Sequence, residues 1–231
     1  MKLHKHILIG AACLLLFVPV AHAQLLLATQ SPAVSPLTLI ITWKTDSFVP
    51  NWYQGRTLPV ANSLITAAVT ALRNGSAVSL ANKTIAWRVN GTPVASGVGK
   101  TSFTFTVGEF PPDLYKIDVE ALEEGKTLGQ NNIEIPVTTP RVVISVPYPK
   151  QIVPQENGIF EAIPFFFTAA VESLTFRWFI DNVEVPGSAQ LDSFISVSFP
   201  GVGSNISVMA TAANPQRVYE KTTDITHINV R

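Results

Sequence analysis

Apolar and polar residues alternate along most of the chain in short runs that are separated by turn-forming residues. Between residues 102 and 107 the aromatic and aliphatic side chains occupy every second position, and between 115 and 121 they alternate with charged residues. A period of two is typical of strands that turn one face to a core. The pattern therefore predicts an all-β protein.

One phrase of this pattern occurs twice. A strand that contains Trp87 leads into Asn90-Gly91, and a strand that contains Trp178 leads into Asp181-Asn182. Asn-Gly suits a two-residue hairpin turn, because both positions of that turn need a positive φ. The same offset of 91 aligns residues 102–103 with 193–194 and residues 115–119 with 206–210. A repeat of this length, with strands at regular spacing, predicts two tandem immunoglobulin-like β-sandwiches.

The predicted organisation has five parts. Residues 1–23 form a cleaved signal peptide, 24–36 a flexible leader, 37–138 the first sandwich, 139–141 a linker and 142–231 the second sandwich. Pro140 makes the linker short and stiff. The last strand of the first sandwich is expected at 132–137, and the dense apolar run 163–167 predicts a strand buried between two sheets.

The amino terminus carries an export signal. Lys2 and Lys5 precede an apolar core at 7–18, and Ala21-His22-Ala23 supplies the small residues that favour cleavage before Gln24. Cys13 suggests lipidation as an alternative, but the leucine usual three residues earlier is missing and the apolar core would be cut short. The apolar run is too short for a membrane span, and no later segment reaches that length. We expect a secreted or cell-envelope protein.

Cleavage at Gln24 would remove much of the chain's reactive chemistry. Of one cysteine and four histidines, only His227 would stay, so disulfides are excluded. The net charge would move from zero to about −2, since two lysines are lost. Without a basic surplus to neutralise phosphates, we expect no nucleic-acid partner.

No catalytic residue, metal site or cofactor is predicted. A serine or cysteine mechanism needs a positioned histidine, and His227 falls in a terminal strand among alternating polar residues. Asp118 and Glu120 share one solvated strand face, whereas glycoside hydrolysis needs two acids that face each other across the sugar. We therefore predict that the protein is not an enzyme.

The loop 46–59 is the best candidate for a ligand contact. It displays Trp52, Tyr53 and Arg56, and the second unit has no matching aromatic loop. Exposed aromatic rings stack on sugars or anchor protein partners, and arginine adds a planar donor. Alternatively, the two aromatic residues fold over the end of the sandwich or pack against the second domain. Trp43, Trp87 and Trp178 are expected in the cores.

The sequences Trp87-Arg88-Val89-Asn90-Gly91 and Trp178-Phe179-Ile180-Asp181-Asn182 resemble bacterial immunoglobulin-like modules of the PKD kind. The resemblance implies that each tryptophan fills the space between two sheets. Neither unit has the acidic loop cluster that some such modules use for calcium, so it implies no calcium site.

These observations predict a non-catalytic, adhesin-like interaction or structural module of the cell surface. Its expected partner is a protein or glycan at the cell envelope, and the oligomeric state is left open. Two alternatives stand beside it. One is a carbohydrate-binding module that uses Trp52 and Tyr53, and the other is an envelope fibre or chaperone component that pairs strands with a partner.

Overall fold

A computed structural model describes residues 35–153, 157–186, 192–199 and 203–231. The predicted signal peptide, Cys13 and the predicted leader up to residue 34 lie outside the described residues. The described part contains two β-sandwiches that follow one another along the chain. Within it, no helix has the length and apolar character needed to cross a membrane.

The first sandwich consists of eight antiparallel strands in two sheets. They are β1 (Thr38–Thr45), β2 (Leu64–Arg73), β3 (Ser76–Val78), β4 (Thr84–Val89), β5 (Thr92–Val98), β6 (Ser102–Thr106), β7 (Leu114–Glu123) and β8 (Lys126–Pro136). Strand β2 pairs with β1 on one side and with β3 and β6 on the other, while the second sheet has the order β5-β4-β7-β8. This division of consecutive strands between two sheets is the immunoglobulin-like arrangement.

The second sandwich repeats the plan. Its strands are β9 (Arg141–Ser145), β10 (Ile152–Val153), β11 (Asn157–Phe165), β12 (Thr175–Ile180), β13 (Val183–Glu184), β14 (Phe194–Ser198), β15 (Asn205–Ala213) and β16 (Lys221–Val230), with 3-10 turns at Pro149–Gln151 and Val171–Ser173. One sheet has the order β14-β11-β9 and the other β10-β16-β15-β12-β13, in which β10 runs parallel to β16. The chain therefore folds as two tandem immunoglobulin-like sandwiches.

A tryptophan lies at the centre of each core, as predicted. Trp87 and Trp178 are fully buried. Each indole N–H donates to a backbone carbonyl that lies just before a strand of the opposite sheet. The acceptors are Lys100 O at 2.8 Å and Asp192 O at 3.3 Å. A buried indole needs such an acceptor, because an unpaired N–H in the core would cost free energy.

The two predicted hairpin turns are confirmed. Asn90 and Gly91 have φ of 49° and 79°, and Asp181 and Asn182 have φ of 47° and 66°. The side-chain oxygen of the first turn residue accepts a backbone N–H from the neighbouring strand in both sandwiches, at 2.8 Å in the first and 2.9 Å in the second. These turns therefore tie each hairpin to the strand beside it.

The offset of 91 fails at one strand. Phe103 is buried in the first core, but Phe194 points outward, and the inward residue of β14 is Ile195. The true offset at this strand is 92, so the predicted equivalence of 193–194 with 102–103 is wrong by one residue. A one-residue shift changes which face of the sheet a side chain occupies.

Three further predictions need correction. The run 163–167 is not buried on both faces: Ile163 and Phe165 point outward and are half-buried, and the strand ends at Phe165. Strand β8 begins at Lys126, directly after the turn, rather than at 132. Trp43 is half-buried at the edge of the core instead of inside it.

Candidate functional site

The loop 46–59 of the first sandwich reaches the end of β11 in the second. Phe48 N–H donates to Phe167 O, and Phe166 N–H donates to Phe48 O, both at 2.6 Å. Phe166 has a φ of 60°, which turns the chain sharply after β11 and presents its N–H to the loop. These two hydrogen bonds fasten the loop to the second sandwich by its backbone.

Tyr53 adds a side-chain contact to this junction. Its ring meets Phe165 edge to face at 5.5 Å and Phe166 at 6.1 Å, and it is half-buried. A Cβ atom on Gly55 would lie 2.3 Å from the end of the tyrosine ring, so a larger residue there would require the ring to shift. Tyr53 therefore packs against the second domain, as one of the two alternatives for this loop expected.

Arg56 is directed to a different residue. Its guanidinium carbon lies 3.9 Å from the ring centroid of Trp43, which is a cation–π distance. Arg56 thus covers the exposed side of a half-buried tryptophan. The structure therefore gives Arg56 a packing contact with Trp43, and its part in ligand binding stays a prediction.

Trp52 remains displayed to solvent. Its side chain is 60% exposed, and one edge contact with Phe165 at 6.0 Å holds its ring at 82° to the phenylalanine. Its neighbours Asn51 and Gln54 are also exposed. Of the three predicted site residues, Trp52 is the one whose contacts within the chain leave a large apolar surface free.

An apolar surface that sequence reasoning missed continues from Phe165. Five outward positions of the β14-β11-β9 sheet carry large apolar side chains, and Glu161 lies among them: Phe194, Ile159, Ile163, Val143 and Phe165. We call these five residues the outer apolar face. The sequence shows the alternation in 157–165, which could have identified these outward residues. The prediction that 163–167 is a strand buried on both faces left no outward residues there to look for.

A cleft of about 340 Å³ lies between the two sandwiches. Its lining comprises Val60, Ala61, Asn62, Glu109, Pro140 and residues 216–220. Glu220 in this lining is buried, which is unusual for a carboxylate, but its hydrogen bonds explain the burial. Its carboxylate accepts from the backbone N–H of Thr168, from Thr168 Oγ1 at 2.7 Å and from Asn214 Nδ2 at 2.8 Å. It is therefore a structural carboxylate that holds the loop 214–220.

The acidic residues considered for catalysis have ordinary surface partners. Asp118 lies 3.6 Å from Lys116, and Glu120 lies 3.8 Å from Arg88 and accepts from Thr127 Oγ1 at 2.5 Å. His227 is exposed on β16. Across the described residues, histidine, cysteine and acidic side chains form no group of three or more that could hold a metal.

One surface pair shifts its ionisation. Arg177 Nε donates to Glu184 Oε1 at 2.8 Å across the β12–β13 hairpin. This hydrogen bond, which stabilises the charged carboxylate, lowers the pKa of Glu184, and the same bond raises the pKa of Arg177. The pair supports a short hairpin rather than a reaction.

No protein-family model matches the chain, and no curated protein sequence does so either. Solved structures match it in shape at low identity. The fibronectin(III)-like modules of Clostridium thermocellum CbhA are 15% identical, with a TM-score of 0.29, 82% of this chain covered and 94% of that chain. Three N-terminal domains of the highly immunogenic outer capsid protein (Hoc) of bacteriophage RB49 are 13% identical, with a TM-score of 0.41 and coverages of 84% and 59%. The tandem Ig repeats of Dlar are 12% identical, with a TM-score of 0.28 and coverages of 85% and 98%.

Proposed function

We propose that this chain is an exported, non-catalytic and adhesin-like interaction module that binds a protein partner at the cell envelope through Trp52. The single observation that carries the proposal is the 60% exposure of a tryptophan on a loop that is fastened on both sides of it. Export is part of the proposal and depends on the signal-like residues 1–23.

The anchoring of the loop favours binding in energetic terms. Phe48 is bonded to the second sandwich before Trp52, and Tyr53 packs on it directly afterwards. A side chain that is held in place before binding loses less conformational entropy when a partner covers it. Tryptophan is also the residue type most enriched among side chains whose removal strongly weakens protein interfaces.

The test is capture of partners from the envelope fraction of the producing cells, with wild type beside Trp52→Ala. Tyr53 stays unchanged in this test, because its removal would disturb the junction as well as the surface. Phe110→Ala is the matched control, since it removes another exposed aromatic side chain from a different loop of the same sandwich. We expect the Trp52 variant to lose a specific partner that the Phe110 variant keeps. Equal capture by all three proteins would refute the role of Trp52.

Glycan binding is the second candidate. The exposed polar residues Asn51 and Gln54 flank Trp52, and sugar recognition combines a stacking ring with neighbouring hydrogen-bonding groups. A glycan array probed with the same three proteins separates the candidates. A glycan signal that disappears only with Trp52→Ala would favour sugar over protein.

A further inference from the structure

Asparagine directly precedes glycine at three positions of the chain: Asn74-Gly75, Asn90-Gly91 and Asn157-Gly158. This dipeptide can react without any enzyme. The backbone nitrogen of the glycine attacks the side-chain carbonyl carbon of the asparagine, and no glycine side chain hinders the approach. All three dipeptides lie within the described residues, so their surroundings can be compared.

Hydrogen bonds hold two of the three carboxamides in place. Asn90 Oδ1 accepts the backbone N–H of Lys116 at 2.8 Å, and Asn157 Oδ1 accepts from Ser198 Oγ at 2.6 Å. Among the described residues, the Asn74 carboxamide has no hydrogen-bond partner, and Asn74 is exposed to solvent. Of the three side chains, that of Asn74 is therefore the one free to turn its carbonyl carbon towards the following nitrogen.

The backbone around Asn74 is also the easiest of the three to open. Its turn joins β2 to β3, which has three residues and pairs with β2 alone among the described strands. The turn at Asn90 joins longer strands, and its N–H also donates to Lys116 O at 2.8 Å. Gly158 is buried, and a Cβ atom there would lie 2.7 Å from the Phe199 ring. Short elements with one pairing partner open most often, and opening releases the turn for the attack.

We propose that Asn74 is a site of spontaneous deamidation, with water as its co-reactant. Gly75 N forms a bond to Cγ of Asn74, the bond from Cγ to Nδ2 breaks, and the proton of the Gly75 N–H leaves with Nδ2 as ammonia. Water then opens the resulting succinimide ring at either of its carbonyl carbons. The product is aspartate or isoaspartate, and nothing is oxidised or reduced.

The reaction adds a negative charge to the end of the first sandwich that lies away from the loop 46–59. Aspartate before glycine also suits the hairpin turn, so that product keeps the fold. Isoaspartate lengthens the backbone by a methylene group, which should loosen the pairing of β3. Asn74 follows the last residue of β2 and the loop 46–59 precedes its first, so about 30 Å of strand lies between this site and the loop that carries Trp52.

Mass spectrometry of the purified chain during incubation at mildly alkaline pH tests the proposal. Trypsin cleaves after Arg73, Arg88 and Lys150, and it therefore places the three asparagines in separate peptides. Deamidation raises the mass of a peptide by about one dalton, and fragmentation assigns the change to one residue. We expect Asn74 to convert at least about tenfold faster than the other two, since one hydrogen bond that must break before the attack corresponds to roughly that factor.

The same incubation in urea provides the control, because unfolding removes the differences in hydrogen bonding. The three dipeptides should then convert at rates within about threefold of one another. Asn74→Gly is the matched variant, since Gly-Gly suits the same turn and has no carboxamide. It should not develop the main acidic form that wild type gains on ion exchange, and Asn74→Asp should elute with that form from the start.

Equal rates at the three sites of the folded chain would overturn the proposal. An intact Asn74 under conditions that convert the unfolded chain would overturn it as well, because the tight turn would then be sufficient to protect the residue. Partner capture by Trp52 should be the same for wild type and Asn74→Asp, so this proposal and the proposed function are tested separately.

Discussion

Removal of the Glu220 carboxylate should destabilise the second sandwich and leave the first unaffected. Glu220→Ala deletes the acceptor of three hydrogen bonds and leaves the Thr168 N–H, the Thr168 hydroxyl and the Asn214 amide without it. Each donor stranded in a buried site costs roughly 1–3 kcal/mol, and relaxation of the surface loop recovers part of that cost. We expect a loss of about 3 kcal/mol in the free energy of unfolding.

The indole N–H groups of the two core tryptophans allow each sandwich to be followed separately. Trp87 and Trp178 each donate to a carbonyl within their own core, so hydrogen exchange of these protons by NMR reports the opening of each core. A loss of about 3 kcal/mol corresponds to exchange of the Trp178 proton roughly 100-fold faster. The Trp87 proton should exchange at the wild-type rate.

Two further variants serve as controls for this prediction. Glu220→Gln keeps the shape and one acceptor oxygen, so its effect should fall between wild type and Glu220→Ala. Glu109→Ala removes an exposed acid from the lining of the same cleft and should change neither indole. If Glu220→Ala left the exchange of Trp178 within about threefold of wild type, the carboxylate would not hold this loop, and our interpretation of its burial would be wrong.

Three other predictions follow from local geometry. Asn182→Gly should stabilise the second sandwich by about 0.5–1 kcal/mol, because a φ of 66° suits glycine better than asparagine; an unchanged urea midpoint would contradict this. Arg177→Met should raise the pKa of Glu184 towards its ordinary value in an NMR titration, since the hydrogen bond that lowers it is lost. Because the folded pKa of Glu184 is lowered, the pair's stabilisation exists above the unfolded pKa and disappears as the pH falls through the folded one. Tyr53→Ala should lower the thermal midpoint of unfolding while Trp52→Ala leaves it unchanged, because only the tyrosine is packed between phenylalanine rings; equal shifts would count against this distinction.

The hairpins and cores were predictable because local chemistry determines them. Asn90-Gly91 tolerates two positive φ angles in succession, and the alternation around Trp87 specifies which face is buried. The same reasoning succeeded for Asp181-Asn182, although that pair lacks the glycine. Where the turn residues and the period of two agree, the sequence was sufficient to predict the strand and which of its faces is buried.

The prediction failed where residue counts or distant contacts decide the outcome. One extra residue before β14 turned Phe194 outward, and a constant offset could not reveal that insertion. Pairing between Phe48 and Phe167 joins positions far apart in sequence, so no local sequence pattern predicts it. The cation–π contact between Arg56 and Trp43 likewise joins a loop residue to a strand residue that no local pattern links.

The pairing of Phe48 with Phe167 has a mechanical consequence. Residues 137–140 already connect the two sandwiches covalently, and the Phe48 bridge joins them at a second point. A single tether acts as a swivel, but two separate attachments resist torsion. Load applied along the chain would therefore be shared between the linker and two backbone hydrogen bonds, and these bonds must break before either sandwich can rotate freely about the other.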